Sequence, residues 1–96
     1  MILTENMIQG LMRAVRGKSQ VTKLEVTELA EACVMDLCMA GVYVTDPEEP
    51  LCRQAIKLYC KANYGYDNDS EKFRAAYSAL KDSMALCGDY RKEKNV

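Results

Sequence analysis

Apolar residues recur along the chain at steps of three and four, the repeat of a single helix face. Ile8, Leu11, Met12 and Val15 make the first such stripe. Leu29, Cys33, Leu37 and Ala40, flanked by Val26 and Ala30, make the second. Leu51, Ala55, Leu58, Tyr59 and Ala62 make the third, widened by Cys52 and Ile56. Phe73, Ala76, Tyr77, Leu80, Met84 and Cys87 make the fourth and most regular. Gly17, Gly41, Gly65 and Gly88 each follow one of these runs, where a helix end favours a residue that tolerates the left-handed conformation. The pattern predicts helices over about 5–16, 23–40, 50–64 and 70–87. No segment has the length and alternation of a sheet strand; Tyr43-Val44-Thr45 is too brief. The expected fold is all-α: a compact four-helix antiparallel bundle with short loops.

Residues at the helix starts support these bounds. Thr4 can accept a bond from an orphan backbone N–H of the first helix, with Leu3 and Ile8 at the staple positions. Thr22 and Glu25 have the spacing of a capping box for the second helix, with Val21 and Val26 beside them as a staple. Gly41-Val42 fits a Schellman ending in which Val42 touches Leu37. Pro47 and Pro50 exclude a continuing helix between residues 43 and 50, and Asp46 can cap a turn that Pro47 pre-sets. Asn68 with Glu71, or Asp69 alone, can cap the fourth helix. Gly10 lies inside the first run and costs that helix about 1 kcal/mol relative to alanine. Residues 1–90 are expected to form one domain, followed by a loose polar tail over 91–96.

Composition narrows the class. With 96 residues, one domain is expected, and no run of apolar residues is long enough to span a bilayer. The start, Met1-Ile2-Leu3-Thr4-Glu5, lacks the basic and apolar regions of a secretory signal. The net charge is −1, without the excess of basic residues usual in proteins that grip nucleic acid. Residues 1–48 carry net −3 and residues 49–96 net +2, a polarity suited to head-to-tail contacts between copies. Five cysteines, with no Cys-x-x-Cys pair, read as small buried hydrophobes in a reducing environment.

Catalytic chemistry is hard to assemble from this inventory. There is no histidine, hence no ordinary general base near neutral pH and no Cys–His pair. No glycine-rich phosphate loop is present. Asp67-Asn68-Asp69 opens like a calcium loop but lacks the glycine and distal glutamate. No enzyme activity, cofactor or metal is expected. The candidate interaction residues are Arg53, Lys57 and Lys61, spaced by four along the third helix, with Tyr64, Tyr66 and Tyr90 near element ends. Six tyrosines against one phenylalanine favour contact surfaces, since tyrosine joins an apolar body to a polar tip.

The stretch Gln54-Ala55-Ile56-Lys57-Leu58-Tyr59-Cys60-Lys61-Ala62-Asn63-Tyr64-Gly65, entered through Pro50-Leu51, resembles the signature helix of the head–tail connector adaptors of tailed bacteriophages, also described as DNA-packaging proteins. Phe73, Tyr77, Leu80, Lys81, Leu86, Gly88, Asp89 and Tyr90 form a second similar block, and Leu37 with Ala40-Gly41-Val42 a third. The resemblance implies a structural virion-assembly subunit, from a phage or prophage, that completes the head. It would form a ring under the portal protein after DNA packaging and join it to the downstream tail-side connector. DNA would pass through the lumen without sequence-specific binding. The implied location is the virion head–tail junction, reached from the bacterial host cytoplasm. The alternative from the residues is a small helical nucleic-acid-binding regulator that uses the Arg53-Lys57-Lys61 face.

Overall fold

Thr4 opens the first helix as its sequence suggests: its Oγ1 accepts a hydrogen bond from the Met7 N–H at 3.1 Å. The structure, a computed structural model, describes residues 3–64 and 68–91. Four helices follow: α1 (Glu5–Ala14), α2 (Gln20–Met39), α3 (Pro50–Asn63) and α4 (Ser70–Leu86). A single 3-10 turn, Gly88–Tyr90, closes the described chain. The fold is an all-helical four-helix bundle, with no strand among the described residues. None of their helices is long and apolar enough to cross a membrane.

α2 begins earlier than the expected capping box allows. Ser19, not Thr22, is the N-cap, and its Oγ accepts from the Thr22 N–H at 3.0 Å. Both residues can cap, and tertiary packing decides between them. Starting at Ser19 buries the Thr22 side chain, whose hydroxyl meets Ser19 Oγ at 3.0 Å and the Tyr64 hydroxyl at 2.9 Å. Val21 is left exposed, so the expected staple with Val26 does not form. At α3 the N-cap is Glu49, whose carboxylate accepts from the Leu51 and Cys52 N–H groups at 3.3 and 3.0 Å, with Pro50 in the first turn. Asp46 holds the preceding turn, accepting from the Glu48 N–H at 3.0 Å. Asp69 precedes α4 and makes no capping side-chain bond.

The glycines divide by role. Gly41 has φ +90°, and the Val42 N–H reaches the Leu37 carbonyl at 2.8 Å, the bond of a Schellman ending. α1 ends in the same motif one residue earlier than expected. The Gly17 N–H bonds the Met12 carbonyl at 2.9 Å, and the left-handed position falls to Arg16, at φ 59°. Gly17 serves a different need, because any Cβ there would overlap the Thr22 methyl. Gly88 has open space around it and no left-handed backbone, so the expected glycine stop of α4 is absent. Gly65, and the tail beyond Arg91, lie outside the described residues.

α3 occupies the centre, packed against α1, α2 and α4. Its pairings show its direction: Cys33 of α2 faces Ala55, and Val26 faces Cys60, so α2 and α3 are antiparallel. Lys61 faces Phe73 and Tyr59 faces Tyr77, so α3 and α4 are antiparallel too. The core gathers Leu11, Leu37, Ile56 and Met84 around small residues, including Ala30, Cys33, Ala55 and Cys60. The expected stripes were turned slightly about their axes. On α3 the buried residues are Cys52, Ala55, Ile56, Cys60 and Ala62, while Leu51 is exposed. On α4 only Tyr77 and Met84 are buried, and Ala76 faces solvent. α4 is an outer helix covered along one narrow line.

Glycine takes a positive φ without the Cβ clash that burdens arginine. Arg16→Gly is therefore expected to raise stability by about 0.5–1 kcal/mol. Gly17→Ala is expected to lower it by about 1–3 kcal/mol through overpacking on Thr22. Urea unfolding followed by circular dichroism checks both, with midpoint shifts of opposite sign.

Candidate interaction surface

The structure distributes five of the six candidate residues over separate places. Arg53 is exposed and Lys57 half-buried on the side of α3 that faces α1, where both line a small cavity of about 120 Å³ with Arg13 and Glu48. Lys61, one turn further on, swings towards α4, with its Nζ 4.5 Å from the centre of the Phe73 ring. Tyr64 is a bridge: its hydroxyl joins the start of α2 at Thr22. The Tyr90 hydroxyl donates to the Glu49 carboxylate at 3.1 Å, and its carbonyl accepts from the Tyr43 N–H at 2.8 Å. Burial, then the Glu49 contact, pushes the Tyr90 phenol up to about 12. Tyr66 lies outside the described residues.

A second internal pin joins α2 to α4. The buried Tyr77 hydroxyl donates to Asp36 Oδ2 at 2.5 Å, and Lys81 Nζ reaches the same oxygen at 3.0 Å. The Tyr77 bond first, and Lys81 after it, hold the Asp36 carboxyl below its ordinary range against a smaller opposing effect of burial. The Cys33 thiol lies 3.7 Å from the Tyr77 hydroxyl, and burial raises it to about 12. Burial also raises Cys52 and Cys60 to about 12, so all three thiols stay protonated at neutral pH. Among the described residues, no group of three or more acidic or sulfur side chains could hold a metal ion.

Two surface features carry more than these pins. The first is the outward side of α2. Val26, Ala30, Cys33 and Leu37 point into the core. On the opposite face stand Val21, Leu24, Met35 and Met39, with Met35 63% and Met39 84% exposed. Exposed Glu25, Glu28 and Glu31 lie between them along the helix. α2 is thus apolar on two sides, and a stripe average cannot separate the covered side from the open one.

The second feature is at the α1–α2 corner. An open cavity of about 570 Å³ is lined by Arg13, Arg16, Lys18 and Lys23, with Ser19 and Gln20 at the start of α2. These are all the basic residues of the first 48 positions. No carboxylate is among the lining residues. Glu5 reaches Lys23 at 3.0 Å, while Arg13, Arg16 and Lys18 have no ion pair among the described residues. Arg13 also lines the smaller cavity with Arg53 and Lys57, where Glu48 supplies one carboxylate among the three cations. The sequence did hold a signal, since these four cations fall within residues 13–23. Summing charge over half the chain conceals it behind seven carboxylates.

No protein-family model matches the chain, and neither a curated protein nor a solved structure matches it at a significant level.

The Asp36 pin has a pH signature. A native carboxyl held below its unfolded value, near 3.9, contributes stability that is complete above about pH 4. That contribution is lost as pH falls through the depressed native value. Asp36→Asn is expected to be less stable than the parent at neutral pH, with the difference shrinking below about pH 4. Urea midpoints measured across that range check the sign.

Proposed function

We propose that this chain is a structural assembly subunit of the head–tail connector kind, forming a ring beneath a portal vertex. The observation that carries the reading is the outward face of α2. A monomer has no use for exposed Met35, Met39, Leu24 and Val21 along one helix, whereas a neighbour in a ring covers such a face. Glu25, Glu28 and Glu31 make that face acidic, while Arg13, Arg53 and Lys57 gather with a single carboxylate, Glu48, on a separate surface that is basic on balance. Two unlike surfaces on one subunit suit a heterologous contact, which closes by rotation rather than by two-fold pairing. Each contact can be weak, with ring closure and the portal supplying avidity.

The resemblance along α3 and α4 adds to this reading. It falls in part on residues that build the bundle: Ala55, Ile56, Cys60 and Tyr77 are core positions. The alternative, α3 as a recognition helix, has less support. α3 is packed on three neighbours, and Lys61 is engaged with Phe73. A recognition helix must present a face of free side chains to the groove, and of the three cations on α3 only Arg53 is fully exposed.

Mixed with its cognate portal, the purified chain is expected to co-sediment as a ring-sized complex. Met35→Glu with Met39→Glu alters only exposed side chains, so the fold should stand while the assembled fraction falls at least tenfold. Absence of any complex with the parent chain would count against the connector reading.

A further inference from the structure

We infer that the α1–α2 corner is a binding site for the phosphate groups of a nucleic-acid backbone, contacted without regard to base sequence. The cavity of about 570 Å³ collects Arg13, Arg16, Lys18 and Lys23 and has no carboxylate in its lining. Like charges gathered this way repel one another, and Glu5 compensates only Lys23. An anion in the cavity would relieve three cations at once. α2 begins at the cavity's edge, with Ser19 and Gln20 in the lining, so the positive end of a 20-residue helix adds to the field. That contribution is secondary to the four side chains.

The dimensions and composition of the site select the occupant. The cavity is wide enough for more than one phosphate, and its cations come from two elements and the corner between them. Four cations spread in this way match a chain of phosphates better than one small anion. No aromatic residue lines the larger cavity, so no ring is present on which an unpaired base could stack. A duplex, whose bases are already stacked on one another, is the occupant that suits such a lining, and a contact with its backbone carries no sequence information. This inference stands independently of the connector reading, because it concerns a surface that the isolated subunit already possesses.

The experiment uses the whole chain without portal. Binding to a labelled mixed-sequence DNA duplex is followed by fluorescence anisotropy over a range of KCl concentrations. The affinity is expected to fall with salt along a log–log slope of about −3, from about 0.9 per phosphate contacted. In Arg16→Gly/Lys18→Ser, two cations leave the cavity while the backbone at residue 16 is eased. This variant is expected to lose about 1.8 of the slope and at least tenfold in affinity at low salt. Lys72→Ser/Arg91→Ser removes the same charge from exposed positions outside the cavity and is expected to change affinity less than threefold. Equal losses in the two variants, or none in the first, would overturn the assignment. So would a parent chain that is thermally stabilised by inorganic phosphate but does not bind the duplex, since the cavity would then serve a small anion. A failed portal assay alongside salt-dependent duplex binding would sink the connector reading and leave this one standing.

Discussion

The close approach of α2 and α3 sets the geometry of everything else in the molecule. Where these helices meet, the side chains are small: Ala30 and Cys33 on one, Ala55 and Cys60 on the other, all fully buried. Small residues let the two backbones come near enough for the thiols to reach across. Cys33 lies 3.9 Å from the Ala55 carbonyl, and Cys60 lies 3.9 Å from the Val26 carbonyl. A longer side chain at any of these positions would force the helices apart. Leu37 and Ile56 are also fully buried and supply the bulk of the apolar core around the seam. With one side of α3 committed to α2, its remaining flanks receive α1 and α4. The far side of α2 receives nothing from the described chain, so Met35 and Met39 stay in solvent as a consequence of where the seam lies.

Apolar packing has no direction of its own, and here tyrosine hydroxyls supply it. Tyr64 joins α3 to the first turn of α2, Tyr77 joins α4 to Asp36 of α2, and Tyr90 joins the final turn to Glu49 at the head of α3. Each places its polar tip on a partner from another element, and the rings of Tyr77 and Tyr90 pack in or against the apolar core. These three fix register along helices that could otherwise slide. The excess of tyrosine over phenylalanine, which from sequence alone suggests intermolecular contacts, is explained in part by these internal pins. Among the described residues, no buried side-chain nitrogen or oxygen lacks a partner.

What could be read from the sequence was what is decided locally. Thr4 capping α1, Gly41 with Val42 ending α2, and Pro50 opening α3 are choices made within a few residues, and the helices stand where those residues put them. Ser19 against Thr22 was not a local choice. Both can cap, and the contact of Thr22 with Tyr64, some forty residues on, favours the earlier start. The facing of α3 and α4 was equally remote. Periodicity gives a stripe, but the neighbours decide which edge of it is covered, and Leu51 and Ala76 fell on the open edge. The basic cavity needed a turn of chain to gather four cations that a count over half the sequence had spread thin.

The α1–α2 corner departs from the economy seen elsewhere in the fold. A left-handed position at a helix end is most easily filled by glycine, and Gly17 is adjacent. Yet Gly17 is committed to the tight approach of Thr22, and the left-handed backbone falls to Arg16. The corner thus combines an open cavity with three cations that have no ion pair among the described residues, one of them an arginine with a strained backbone, while every buried side-chain nitrogen and oxygen among those residues has a partner. Strain that persists in a fold is held in place by its surroundings, and such positions concentrate where a ligand is met. Here the seam between α2 and α3 fixes the direction in which α2 begins, Thr22 packs against Gly17 at that start, and Arg16 falls in the lining of the cavity. The same packing that leaves one side of α2 apolar and open also gathers positive charge at its beginning, so the two surfaces on which the functional readings rest come from one structural cause.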